Sequence, residues 1–341
     1  MNPEVSVVIP VKNGEATIGS ALESILDQDF DPFEIVVVDH DSKDRTGEIL
    51  SAFSDQSDRL RVFHETGTFV DAINRSWREA RAPLIARMDA DDLAYPSRLR
   101  KQKYFLDRHP HIAACGSLVH IRKRDQEGKL IPADGGYQRY EEWVNSQVSP
   151  EQIHTHRFVD SPLPNPSVML RRSALEELNG YEDPTWAEDY DLWLRMLERG
   201  WKLGKIDEVL LDWIDGPERS TRNLDRYELS QFQKAKAHYL ARISEVQQMG
   251  VAICGAGPIG KEFARLLQEK GIEIHCFLEV NPRQVGNQIH GIPVLESGEI
   301  SGYPSKAVVL GASGRPGARD RIRDLAVTSG LTEGRDFFSI A

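Results

Sequence analysis

Residues 33–44 read FEIVVVDHDSKD. Phe33 opens the stretch, and four β-branched residues, Ile35 to Val38, follow in a row. A run this short and this continuously apolar is a strand buried on both faces, as in a parallel sheet. The run stops at an acid, Asp39, and passes into a polar turn. Parallel α/β sheets collect their ligands at the carboxyl ends of their strands, so that turn is a place for chemistry.

The same alternation extends to either side. The pattern predicts a strand at Val5–Val11, a helix at Thr17–Gln28, and a helix near Arg45–Phe53. A strand at Leu60–His64, a helix at Phe69–Ala80 and a strand at Pro83–Met88 follow, then a helix near Pro96–Leu106. Strand–helix alternation means an α/β sheet with crossover helices. Three polar stretches stand at strand ends: PVKNGE (10–15), DHDSKD (39–44) and DADD (89–92).

Further on, Ile112–Arg122 reads as a longer strand. Residues 124–166 are polar and rich in Pro, Gly and His, and are expected to form loops and short helices. Ser167–Arg171 reads as a short strand, Glu188–Arg199 as a helix and Trp201–Trp213 as a strand. After a polar turn, residues 224–247 are helical. A new strand–glycine turn–helix pattern starts at Gly250. The expected organisation is a first domain over 1–216, a helical connector over 217–249 and a small second α/β domain over 250–341.

Bulk composition narrows the function. With 42 basic and 53 acidic residues the net charge is −11, which argues against a broad nucleic-acid-binding face. The three cysteines form no C-x-x-C pair and no even framework, which predicts a reduced, cytoplasmic setting. No window approaches 18 continuous apolar residues, so no membrane span is expected. Peripheral membrane attachment is compatible with the chain, and so is a homo-oligomer.

Asp89, Asp91 and Asp92 crowd into IARMDADDLAYPSRL (85–99). In extended chain, residues i and i+2 point the same way, so Asp89 and Asp91 can face one ligand. Hard divalent ions such as Mg²⁺ and Mn²⁺ take oxygen donors of this kind. The competing reading is a strand end followed by a turn and a helix cap. Asp39 can accept hydrogen bonds from a base or a ribose, while Asp44 fits a helix cap. In TWAEDYDLWLR (185–195), Glu188 and Asp189 begin a helix. Either the helix dipole favours acids there, or one carboxylate is a general base.

Five stretches occur in the order seen in family 2 glycosyltransferases of the GT-A fold: VSVVIPVKNGEATIGSALESIL, FEIVVVDHDSKDRT, IARMDADDLAYPSRL, NPSVMLRR and AEDYDLWLR. The chain resembles that family over roughly residues 4–215. The resemblance implies a mostly parallel central sheet, a nucleotide-diphosphosugar donor with a UDP-sugar favoured, a divalent cofactor (Mn²⁺ or Mg²⁺) and inversion at the anomeric carbon. It places Pro10 and Asn13 in the nucleotide-binding loop and Asp39 on the base. Asn74, Arg87 and Asp89 would line the nucleotide-sugar, Asp91 would bind the metal, and Asp189 would be the catalytic base. A glycan or glycolipid acceptor at the cytosolic face of a bacterial membrane is the family-level expectation. The family often has a glycine where this chain has Asp41. It often carries a histidine after the last strand, where this chain offers Arg219 or Arg222.

In the second domain, VAICGAGPIG (251–260) places Gly255, Gly257 and Gly260 between a strand and a helix, with Glu279 closing the next strand. This spacing is that of a dinucleotide fingerprint. The domain resembles the Rossmann-like portion of sugar O-acyltransferases and the C-terminal extension of some family 2 glycosyltransferases. Packing and nucleotide binding are both open for it. The rival functions are an NAD(P)-dependent sugar-modifying oxidoreductase and a non-catalytic nucleotide-sugar-binding protein.

Overall fold

The structure, a computed structural model, describes residues 2–216, 224–302, 306–315 and 317–341. The chain forms two compact units. The first comprises Met1–Ile153, Pro162–Pro184 and Glu188–Asn223, and the second His154–Ser161, Thr185–Ala187 and Leu224–Ala341.

The first unit runs β1 (Val5–Val11), α1 (Ile18–Leu26), β2 (Phe33–His40), α2 (Thr46–Ser54), β3 (Leu60–Glu65), α3 (Phe69–Glu79), β4 (Leu84–Arg87), β5 (Leu93–Ala94) and α4 (Arg98–Arg108). It continues with β6 (Ile112–Arg124), β7 (Leu130–Pro132), α5 (Gly136–Ser146), α6 (Pro150–Thr155), β8 (Met169–Arg171), α7 (Arg172–Glu177), α8 (Glu188–Glu198) and β9 (Lys202–Asp215). The sheet order is β3-β2-β1-β4-β8-β6-β9-β5, with β7 paired to β6. The long ladders β1–β2, β2–β3, β1–β4 and β6–β9 are parallel. The short β8 is inserted antiparallel between β4 and β6. Every residue of β1 and β2 is buried, which is why both read as unbroken apolar runs.

Two local choices fix this half of the sheet. Helix α3 starts on a capping box: Thr68 accepts from the Asp71 N–H and the Asp71 carboxylate accepts from the Thr68 N–H. Pro10 lacks an N–H, and it sits beyond Val8↔Arg87, the last pair between β1 and β4, where that ladder ends.

The 124–166 stretch is more ordered than its composition suggests. Helix α5 runs for 11 residues. Tyr137 and Tyr140 on it pack edge-on against Trp213 of β9 at 6.2 and 6.0 Å. Tertiary packing of those aromatics outweighs a mostly polar sequence flanked by glycines.

The second unit contains α9 (Leu229–Leu240), α10 (Ser244–Met249), β10 (Val251–Cys254), α11 (Pro258–Gln268), β11 (Ile274–Glu279), β12 (Gln288–Ile289), β13 (Ile292–Glu296), β14 (Val308–Gly311), α12 (Ala318–Thr328) and β15 (Phe337–Ser339). Its order is β12-β13-β11-β10-β14-β15, parallel except at β12. This is a doubly wound arrangement with a core of its own around Ala252, Cys276, Val309 and Phe337. The segment 154–161 joins it through Phe158, which stacks edge-on against Phe338 at 5.7 Å. Lys236 donates to the carbonyls of Val159 at 2.8 Å and Ile340 at 3.2 Å. Among the described residues no helix is long and apolar enough to cross a membrane.

Candidate active site

Because β1, β2 and β4 are parallel, their carboxyl ends share one edge of the sheet. The loops after β1 and β2 are laced together there. The Asn13 N–H donates to Ser42 Oγ at 2.9 Å, and the Asn13 side-chain oxygen accepts from the Lys43 N–H at 2.8 Å. Asp44 accepts from the N–H groups of Glu15 and Thr46, each at 3.0 Å. It therefore bonds the first N–H of α2, from the position before the Arg45 N-cap, and ties down the first loop at once. Asp39 is buried, accepts from the Ser42 N–H at 3.1 Å, and lies 3.6 Å from Nδ1 of His64. Asp41 adopts φ +54°, the left-handed conformation a glycine would take.

At the end of β4 the acids meet two buried cations. Arg87 is 2 % exposed and donates to Asp89 at 2.6 Å, while its Nε has no hydrogen-bond partner among the described residues. Arg98, fully buried, opens α4 and donates to the Arg87 carbonyl at 2.6 Å. Burial pushes the Arg98 guanidinium down to about 10, and Asp92 holds it up. A cation in the first turn of a helix opposes the helix dipole, which is the one sequence signal that marks Arg98. Asp92 is fully buried and accepts from the Ile214 N–H of β9 at 2.8 Å. Its role extends beyond starting a turn. Asp89, Asp91 and Asp92 each present an oxygen within 4.8 Å of the others, which suits a hard divalent ion.

Asp189 faces this cluster electrostatically. Burial and the neighbouring Glu188 carboxylate push its carboxyl well above the usual range, and Asp89 adds to the effect. The Tyr190 N–H, 2.6 Å from Asp189 Oδ1, and the Arg87 charge pull the other way. Tyr181 belongs to the same field. Burial raises its phenol, and Arg87, Asp189, Glu188 and Asp89 all act on it.

Tyr181 is set by contacts that sequence reasoning does not reach. Asn74 accepts from the Tyr181 N–H at 2.9 Å and donates to the Tyr181 carbonyl at 2.8 Å. The same Asn74 oxygen accepts from the Trp77 indole at 2.9 Å. Arg195, paired with Asp191 at 2.7 Å, donates to the carbonyls of Leu178 and Gly180. The Tyr181 hydroxyl donates to Asn165 at 3.0 Å. Asn74 therefore turns its amide into the protein, holding the 178–181 turn. Pro10 and Asp39 lie on the neighbouring strands β1 and β2, and Asn13 lies in the loop after β1. Arg219 and Arg222 fall outside the described residues.

In the second unit, Glu279 accepts from the N–H groups of Ala256 at 3.0 Å, Val280 at 2.9 Å and Asn281 at 3.1 Å. It braces the glycine turn of Gly255, Gly257 and Gly260.

Comparison with known proteins matches this architecture. The family model described as "Glycosyl transferase family 2" covers residues 6–178. The chain belongs to glycosyl transferase family 2. It is 30% identical over 216 residues to the putative glycosyltransferase EpsE of Bacillus subtilis, covering 61% of this chain and 72% of that one. It is 26% identical over 214 residues to the O-antigen biosynthesis glycosyltransferase WbnJ of Escherichia coli, covering 61% and 78%. In fold it is similar to S. aureus TarS 1–349, solved with UDP-GlcNAc. The TM-score there is 0.51 at 17% identity, covering 78% of this chain and 71% of that one. It is also similar to the mannosyltransferase PcManGT of Pyrobaculum calidifontis, solved with GDP-Man and Mn²⁺. That TM-score is 0.50 at 20% identity, covering 79% and 69%. As a family 2 glycosyltransferase, the chain is an enzyme with a GT-A-like α/β unit.

Proposed function

We propose that this glycosyltransferase moves a sugar from a nucleotide-diphosphosugar to a hydroxyl of a glycan or glycolipid, with inversion, in surface-polysaccharide assembly. The observation that carries the reading is the meeting of the Asp89–Asp91–Asp92 cluster with the half-buried Asp189, whose carboxyl is pushed up by burial, Glu188 and Asp89. Asp91, with Asp89 beside it, is the proposed ligand set for Mn²⁺ or Mg²⁺. Such an ion, when bound, supplies Lewis-acid stabilisation of the departing diphosphate. Pro10, Asn13 and Asp39 form the nucleotide end of the site. Arg87 holds Asp89 in place, and Asn74 positions Tyr181.

Asp189 takes the proton from the acceptor hydroxyl. The acceptor oxygen bonds to the anomeric carbon as the bond from that carbon to the diphosphate oxygen breaks. The electron pair leaves with the nucleoside diphosphate. The raised carboxyl of Asp189 suits a base that works near neutral pH. UDP-sugars are the first donors to test, since the TarS structure was solved with UDP-GlcNAc.

The test is transfer or hydrolysis of UDP- and GDP-sugars by the purified chain, with Mn²⁺, with Mg²⁺ and with EDTA. Activity is expected only with metal, and Asp91→Ala is expected to lose it. Full turnover in EDTA, or in Asp91→Ala, would refute the metal assignment.

A further inference from the structure

The strands β10, β11 and β14 end around a cavity of about 480 Å³. It lies where the winding reverses, since β11 flanks β10 on one side and β14 on the other. Doubly wound sheets take their ligands at this point, and the volume is in the range of small-molecule sites.

The residues around it are not explained by the fold alone. Gly255 needs its φ of +113°, and a Cβ on Gly260 would come within 2.0 Å of the Gly255 carbonyl. Gly257 is different. It lines the cavity, its φ is −80°, and a Cβ there would meet nothing within 4 Å. Folding does not require a glycine at 257, but its missing side chain keeps the space before α11 clear. Across the cavity, Arg315 and Arg321 also line the wall. Neither guanidinium has a hydrogen bond or ion pair among the described residues, and both residues are exposed, in a chain of net charge −11. Two unpaired guanidiniums facing a cleared helix start suit a diphosphate. Glu279 Oε2 carries one bond, from Ala256, and keeps capacity for a hydroxyl donor such as a ribose. Ile322 and Val280 add apolar wall, and Val280 is 78 % exposed at the rim, as a surface for a base.

We propose that the second unit binds a ribonucleoside 5′-diphosphate group, either free or as part of a nucleotide-sugar or dinucleotide. This site is separate from the donor site at Asp91 and has its own glycines, arginines and carboxylate.

The test is calorimetric titration of the full chain in EDTA with UDP, GDP, ADP, NAD⁺ and inorganic pyrophosphate. One nucleotide per chain is expected to bind, and to bind equally well in Asp91→Ala. Gly257→Leu and the double variant Arg315→Glu/Arg321→Glu are each expected to weaken it about tenfold or more, the scale of a lost charge-assisted contact. Both variants are expected to keep metal-dependent transfer, which separates this proposal from the donor-site assignment. Tighter binding of NAD⁺ than ADP points to a dinucleotide, and tighter binding of UDP or GDP points to a nucleotide-sugar. Three results overturn the proposal: no nucleotide binding in EDTA, binding unaffected by both second-unit variants, or pyrophosphate binding as tightly as every nucleotide.

Discussion

Asp189 is held in a state that is unfavourable for the resting protein. Its carboxyl is raised by burial and by Glu188. The unfolded chain therefore ionises at lower pH than the folded one, and the folded protein loses stability as pH rises from about 4. Asp189→Asn removes that loss. In metal-free buffer at pH 8, it is expected to raise unfolding stability by on the order of 1 kcal/mol or more, with little change at pH 4. Transfer should fall by about 10²–10⁴-fold, the usual effect of losing a general base. Urea melts at the two pH values, beside turnover, check both halves. Equal stability at pH 8 would mean the carboxyl is not strained. Asp92 has a different task. Asp92→Ala leaves the Ile214 N–H without its acceptor, at a cost of about 1–3 kcal/mol. Asp92→Asn keeps an acceptor and should retain most metal-dependent turnover, whereas Asp91→Asn should not. Asp41→Gly is expected to leave the melting temperature unchanged or slightly higher, because the left-handed φ of +54° suits glycine better.

At the scale of elements, the turn from Leu178 to Tyr181 is the point most sensitive to change. Gly180 has φ +79°, and a Cβ would lie 2.4 Å from the Asn74 oxygen and 2.8 Å from the Trp77 indole nitrogen. Gly180→Ala should cost about 2 kcal/mol or more through strain and broken hydrogen bonds, read as a lower thermal midpoint. An unchanged midpoint would show that Asn74 and Arg195 do not clamp the turn. This turn also marks where the sequence stops being legible. Strands β1 and β2 appear in the sequence almost residue for residue, because burial on both faces leaves an unbroken apolar run. The acids at 89–92 and 188–189 are equally visible, since each group is local. The bonds from Asn74 to Tyr181 join residues 107 apart, and no local pattern encodes such a partnership. The length of helix α5 goes beyond the short helices expected there for a related reason: its aromatics count as core only once Trp213 is placed beside them.

At the scale of the whole molecule, the two units are not successive along the chain. Residues 154–161 and 185–187 interrupt the first unit and belong to the second. A protein cut after residue 223 keeps Phe158 and Val159 but loses Phe338 and Lys236, which they contact. Such a truncation is expected to be less soluble than the full chain, and Phe158→Ser should recover part of that solubility. Gel filtration and sedimentation of the two truncated forms would decide it, and a well-behaved 1–223 protein would count against this pairing.

The same interleaving sets an order on biosynthesis. Phe158 leaves the ribosome about 180 residues before Phe338. At typical elongation rates that is a wait of roughly ten to forty seconds. The glycosyltransferase unit can close while residues 154–161 and 185–187 still lack the rest of the unit they belong to. Those residues are then exposed to chaperones and proteases until the strand that carries Phe338 has been made, so quality control of this enzyme falls on that strand.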